Sequence, residues 1–131
     1  MSVTLDTNVL ARVLVDDAEA PEQCAAARKA LASAKLVFIP QVVQIELCWL
    51  LESAFGLRHT EIANTLRVLQ VNPRIELEHH EAFDATLERF AGDTAWGFAD
   101  CMIAALAAKH DSKVLTFDKK LARLIGIKVL R

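Results

Sequence analysis

Three kinds of feature are scarce in this chain, and each scarcity narrows what the protein can be. There are three cysteines, Cys24, Cys48 and Cys101, an odd number at wide spacing. Without a C-x-x-C pair or two histidines at zinc spacing, neither a disulfide framework nor a structural zinc site organises the fold. Small buried hydrophobes at helix positions, in a reducing cytosol, are the reading that fits. Charge of one sign is also missing. A formal net charge of −2 does not suit a protein that coats nucleic acid through phosphate neutralisation alone. Uninterrupted apolar runs are absent too. The stretch from Leu36 to Phe55 is broken by Pro40, Gln41, Gln44, Glu46 and Glu52, so it reads as a strand followed by a buried helix and not as a membrane span. The start, Met1-Ser2-Val3-Thr4-Leu5-Asp6, has no basic segment followed by a long apolar one, so no signal peptide is expected and the chain is placed in the cytoplasm.

What is present is enough for one domain over residues 1–131, with 53% hydrophobic and 24% charged residues to build a sizeable core. Val3–Leu5 reads as a short strand, then a helix runs from about Val9 to Val15. Pro21 opens a second helix to Ser33, Pro being tolerated in a first turn. Leu36–Ile39 is a buried strand that Pro40 ends, opening a helix from Gln41 to Phe55 with Gly56 at its exit. Thr60 is expected to cap a helix to about Leu69, which Asn72-Pro73 breaks. A brief strand, Ile75–Leu77, precedes a helix from His80 to Phe90. Phe98–Lys109 is a small-residue-rich helix, Lys113–Phe117 a strand, Asp118 the head of a turn to Leu124, and Ile127–Leu130 a last strand. Strands that alternate with helices, with no Asn-Gly hairpin signal, predict an α/β fold: a central, mainly parallel sheet flanked by helices. Functional groups in such sheets gather at the strands' C-terminal ends, where Asp6 and Asp118 are both expected.

Four carboxylates stand inside or beside apolar runs: Asp6, Glu46, Asp100 and Asp118. Each has a plain explanation next to a functional one. Asp6, followed by Thr7 and Asn8, is a good helix cap, but three capping residues in a row exceed that need, and Thr7 and Asn8 can instead orient Asp6 or a bound water. Glu46 lies mid-helix between Ile45 and Leu47, where capping cannot explain it. It is either part of a solvent-facing stripe with Gln44 or Glu52, or a buried group on a helix that is apolar nearly all round. Asp100 sits in a first helical turn and gains from the helix dipole, yet its neighbours Phe98 and Met102 to Leu106 suggest a central helix where a carboxylate needs a partner. Asp118 can cap the turn that follows, with Thr116 adding a nearby hydroxyl. Four like charges in one pocket would repel and drive a pKa upward unless a cation neutralised them. Oxygen-only donors select hard ions, so Mg2+ or Mn2+ is the expected metal, and a metal-dependent phosphodiesterase the expected chemistry.

The other charges say less. From Lys109 onward seven basic residues stand against two acids, Asp111 and Asp118, a distribution that suits a phosphate backbone and equally a solvated face. His79-His80-Glu81 reads as a helix start, and His110 as a favoured group at a helix end.

Taken in order, Asp6-Thr7-Asn8-Val9-Leu10, Ile39-Pro40 through Glu46 to Glu52, Phe98-Ala99-Asp100 to Ala105, and Leu115-Thr116-Phe117-Asp118 to Leu121 resemble the PIN-domain ribonucleases, in particular the VapC toxins of prokaryotic toxin–antitoxin pairs. The resemblance spans nearly the whole chain. It implies a catalytic set of Asp6, Glu46, Asp100 and Asp118, with metal on Asp6, Asp100 and Asp118 and with Thr7, Asn8 and Thr116 in support. It also implies endonucleolytic cleavage of structured RNA such as transfer or ribosomal RNA, a homodimer, and a VapB-like antitoxin partner. Many relatives carry a further acid three residues before Asp100. Here that place is Gly97, with Asp93 the nearest substitute in the same loop. Two rivals remain. One is a PIN-like domain that binds without catalysis. The other is a phosphoacceptor receiver domain, which needs an acceptor Asp after a middle strand, whereas neither Leu36–Ile39 nor Ile75–Leu77 ends in one.

Overall fold

The computed structural model describes residues 1–92 and 95–131. The chain forms two compact units, Met1–Glu78 and His79–Arg131. In the first, strands β1 (Ser2–Thr4), β2 (Leu36–Ile39) and β3 (Ile75–Leu77) form a parallel sheet in the order β1-β2-β3. Val3 lies opposite Val37, which in turn lies opposite Ile75. Helices α1 (Thr7–Leu14), α2 (Pro21–Ser33), α3 (Gln41–Ser53) and α4 (His59–Val71) make the connections. Parallel strands require such crossovers, because a tight turn can join only antiparallel ones. Val37, Ile39, Leu10, Leu47, Leu51, Ile62 and Leu66 supply its core.

Polar side chains lock the ends of these elements. Glu78, just past β3, accepts a hydrogen bond from the Gln41 backbone N–H at 2.9 Å, closing the start of α3. Gln44, fully buried, donates through Nε2 to the carbonyls of Ile39 (3.2 Å) and Glu78 (2.9 Å). Those two bonds fasten the last residues of β2 and β3 to α3, in a place where an unpaired carbonyl would cost about 1–3 kcal/mol. Arg74 donates from Nη1 to the carbonyls of Leu31 (3.1 Å) and Ala34 (2.9 Å), completing the C-terminal end of α2. Gly56, with φ +64, takes the left-handed turn that leads out of α3.

The second unit holds α5 (His80–Gly92), α6 (Phe98–Lys109) and α7 (Lys119–Ile125). Phe98 joins α6 to α5 by ring contacts with Phe83 at 5.9 Å and Phe90 at 5.7 Å. Thr86 donates its hydroxyl to Met102 Sδ at 3.4 Å within the same buried layer.

The structure corrects three sequence expectations. Thr60 does not cap α4. That helix starts at His59 after Arg58, whose backbone N–H donates to Glu61 Oε1 at 2.9 Å. Neither Lys113–Phe117 nor Ile127–Leu130 is a paired strand among the described residues. One backbone bond, Leu130 N–H to Thr116 carbonyl at 2.7 Å, joins them, and Leu115 and Phe117 are exposed. An apolar, β-branched run signals strand propensity, but a strand also needs a ladder partner along its length. The cysteines follow expectation, all three being buried thiols. Among the described residues no helix is long and apolar enough to cross a membrane.

Candidate active site

In the first unit Asp6 follows β1 by way of the buried Leu5 and serves as the N-cap of α1. Its Oδ1 accepts the Val9 N–H at 2.9 Å, while Oδ2 carries no hydrogen bond among the described residues. Capping and ligation therefore do not compete, since each takes its own oxygen. Thr7, the first residue of α1, donates its hydroxyl to Glu46 Oε1 at 3.0 Å. That bond ties the residue next to Asp6 to the middle of α3. Asn8 is exposed and lines a cleft with Asp6.

Glu46 is not the buried acid that its apolar neighbours suggest. It is exposed, and the buried polar side chain of α3 is Gln44. The helix turns Val43, Gln44, Leu47, Cys48 and Leu51 inward and leaves Val42 and Trp49 exposed at 63% and 69%. Those two large apolar side chains at i−4 and i+3 from Glu46 make its face look buried in sequence.

In the second unit Asp118 is the N-cap of α7, its Oδ1 accepting from Lys120 N–H (2.7 Å) and Leu121 N–H (3.2 Å). As at Asp6, one oxygen serves the helix and Oδ2 carries no hydrogen bond among the described residues. Thr116 Oγ1 accepts the Asp118 N–H at 2.9 Å and sets the turn that presents it. Asp118 thus enters from this turn and not from the end of a strand. Trp96 donates its indole N–H to the Lys120 carbonyl at 3.2 Å, holding the start of α7 beside the loop that leads into α6. Asp100, in the first turn of α6, is consequently near enough to Asp118 to feel its charge. Burial and then the Asp118 carboxylate push the Asp100 carboxyl above its ordinary range, with Lys120 partly opposing them.

The sign of this shift has a consequence for stability. Between the ordinary and the raised value the folded chain holds the extra proton, so stability falls as pH rises through that window. Above it, an ionised Asp100 is a cost to the metal-free fold. Asp100→Asn is therefore expected to raise the melting temperature at pH 7 without metal, and the gain should vanish below the carboxylate range. Calorimetry at the two pH values checks this, and a variant less stable than the parent at pH 7 would refute it.

Among the described residues no group of three or more His, Cys, Asp or Glu is arranged to hold a metal ion. The donors come in two sets, Asp6 and Glu46 linked through Thr7 in one unit and Asp100 beside Asp118 in the other. Taken separately, each set consists of carboxylates, the donors a hard divalent cation prefers; each cap leaves one oxygen without a hydrogen bond among the described residues, and the Asp100–Asp118 repulsion is of the kind a cation relieves. Gly97 is the N-cap of α6, and a Cβ added there would meet nothing within 4 Å, so no steric constraint explains the missing acid. Asp93 lies outside the described residues. His80 begins α5 and His110 ends α6, in keeping with their reading as helix-terminal residues. Sequence reasoning missed the positioning groups Trp96, Gln44 and Glu78, because their contacts lie far from them along the chain.

Two comparisons with known proteins bear on this arrangement. The family model described as PIN domain matches residues 3–126. Comparison with curated proteins gives no match.

Proposed function

This chain belongs to the PIN-domain family, whose members are generally nucleases, and we propose that it is a metal-dependent endoribonuclease, the VapC-type toxin of a type II toxin–antitoxin pair. The observation that carries the proposal is the pair Asp100 and Asp118, held together by the Trp96 and Thr116 hydrogen bonds with one carboxyl driven above its ordinary range. A purely structural role would not require two acids to be held where they repel. In this reading Asp6, Asp100 and Asp118 would be the residues that hold Mg2+ or Mn2+. A bound divalent ion supplies activation of water and neutralisation of phosphate charge. Glu46, hydrogen-bonded by Thr7 and exposed, is the group proposed to accept or direct the proton of the attacking water. Lys120, whose charge acts on Asp100, is the cation proposed to meet a phosphate oxygen.

Structured RNA in the cytoplasm is the proposed substrate, with a homodimer and a VapB-like antitoxin as the proposed assemblies. The purified chain is expected to cut transfer or ribosomal RNA with Mg2+ or Mn2+, leaving 5′-phosphate and 3′-hydroxyl ends, and EDTA should stop it. Mapping the ends of RNA cleaved after induction in cells tests activity and substrate together. Intact RNA under both conditions would reject the assignment.

A further inference from the structure

The backbone around Phe117 is fastened on both sides, while its side chain is left on the surface. Thr116, before it, accepts the Leu130 N–H on its carbonyl at 2.7 Å and the Asp118 N–H on Oγ1 at 2.9 Å. Asp118, after it, caps α7 through the Lys120 N–H (2.7 Å) and the Leu121 N–H (3.2 Å). Phe117 itself is 77% exposed, so most of its ring is open to water. A lone exposed phenylalanine needs no explanation, and it is the surrounding charge that gives this one its meaning. From Ser112 to Arg131 six basic residues stand with one acid, Asp118. Lys113, Lys119, Lys120, Arg123 and Lys128 are all exposed and form no ion pair among the described residues. On α7, Leu121 and Ala122 turn inward. Arg123 follows Lys119 at i+4 and Lys120 at i+3, which puts both beside it on the outer surface of that helix.

We propose that Phe117 is a stacking platform for one unpaired base of the RNA, beside the phosphate at Asp118, with Lys119, Lys120 and Arg123 meeting neighbouring backbone phosphates; this rests on the nuclease reading above. Unstacked RNA bases are taken up on aromatic rings, and a positively charged surface that tracks the backbone accompanies such rings. A base inside an A-form helix has its faces covered by its neighbours. Phe117 therefore takes a base from a loop, a bulge or a single-stranded stretch and not from the duplex. Because every base has a π face, the platform selects for being unpaired and not for base identity. Leu115, two residues earlier, is also exposed at 74%. An apolar protein surface would cover both side chains but leave the cations beside them without a counter-charge, whereas a polyanion that carries flat bases satisfies ring and charge together.

The test is fluorescence anisotropy of the full chain with a labelled oligouridylate of about ten nucleotides, within the span of single-strand sites, and with a blunt RNA duplex of the same length. EDTA in the buffer keeps cutting out of the measurement. Phe117→Ala is expected to weaken the single strand roughly tenfold, the scale of one base–aromatic stack, and to leave the duplex unchanged. Phe117→Trp should bind at least as well as the parent, whereas Phe117→Leu, apolar but without a π face, should bind as weakly as alanine. Arg123→Ala should weaken both RNAs and lower the salt slope by about one. Melting temperatures of these exposed-site variants should stay at the parental value, which separates loss of the ring from loss of the fold. A parent chain that does not take the single strand, a Phe117→Ala variant that holds it as the parent does, or a leucine variant that matches phenylalanine would overturn the platform. So would a smaller Phe117→Ala species on gel filtration with RNA binding unaltered, since the face would then be a contact between chains. Mapping of RNA cuts separates the two readings. Single-strand binding through Phe117 in a chain that never cuts RNA removes the nuclease and keeps the platform, whereas cuts in loops and stems alike, unchanged by Phe117→Ala, keep the nuclease without it.

Discussion

Asp6→Asn and Asp118→Asn are each expected to lower RNA cleavage by about a thousand-fold while leaving the melting temperature nearly unchanged. The reason lies in how each side chain is used. Asp6 caps α1 through Oδ1, and Asp118 caps α7 through Oδ1. Asparagine caps a helix about as well as aspartate, so the fold keeps its hydrogen bonds. The change removes the negative charge that would hold a cation, and metal-based charge stabilisation is worth several kcal/mol, with each ~1.4 kcal/mol a factor of ten in rate. Alanine at the same places should lose both, with about 1 kcal/mol of stability gone as well. Cleavage assays alongside thermal melts of the four variants separate the roles. Asparagine variants that cut RNA at the parental rate would show that these acids are helix caps and nothing more.

Phe83→Ala should produce the largest loss of stability, about 3–5 kcal/mol. Phe83 is fully buried, and its ring meets Phe98 at 5.9 Å, while Phe98 in turn meets Phe90 at 5.7 Å. Truncation leaves a cavity at the junction of α5 and α6 that rigid helices cannot close. Against a typical total of about 5–15 kcal/mol this is a large fraction. The effect reaches the proposed site as well, because Phe98 stands two residues before Asp100 and anchors the first turn of α6. Phe83→Leu, which retains most of the volume, should recover much of the stability. Urea unfolding measures both variants, and a Phe83→Ala penalty under about 1 kcal/mol would mean that this aromatic layer does not hold the unit together.

The elements that local signals specify agree between sequence and structure. Leu36–Ile39, Ile75–Leu77 and Phe98–Lys109 have the same bounds in both. Each has strong punctuation at its ends, Pro40 after β2 and Gly97 before α6 among them, together with an apolar pattern of the right length. Lys113–Phe117 has the composition of a strand but no ladder partner among the described residues. Composition reports what a segment favours; pairing depends on another segment that it does not encode.

For the candidate site, residue identities were legible and roles were only partly so. A carboxylate after a short strand, or at a helix start, is visible as a cap in sequence, and Asp6 and Asp118 are both caps. That the caps use one oxygen each is a matter of three-dimensional geometry. Glu46 was singled out because Val42, Trp49 and their neighbours are apolar, and the helix in fact turns Gln44 inward and Glu46 out. Periodicity gives the angular spacing of side chains on a helix but not which face meets the core when apolar residues lie on every side.

By itself, then, the sequence determined the α/β class, the parallel sheet joined by helices, the absence of disulfide organisation and the set of acids worth testing, because these follow from local propensity, spacing and composition. Only the tertiary structure decided which polar group of α3 is buried, that Thr7 hydrogen-bonds Glu46, that Trp96 and Thr116 bring Asp118 up to Asp100, and that Arg12 hydrogen-bonds both Asp17 and Gln23. Every one of these joins residues or faces whose relation depends on packing, and packing is set by the whole fold at once.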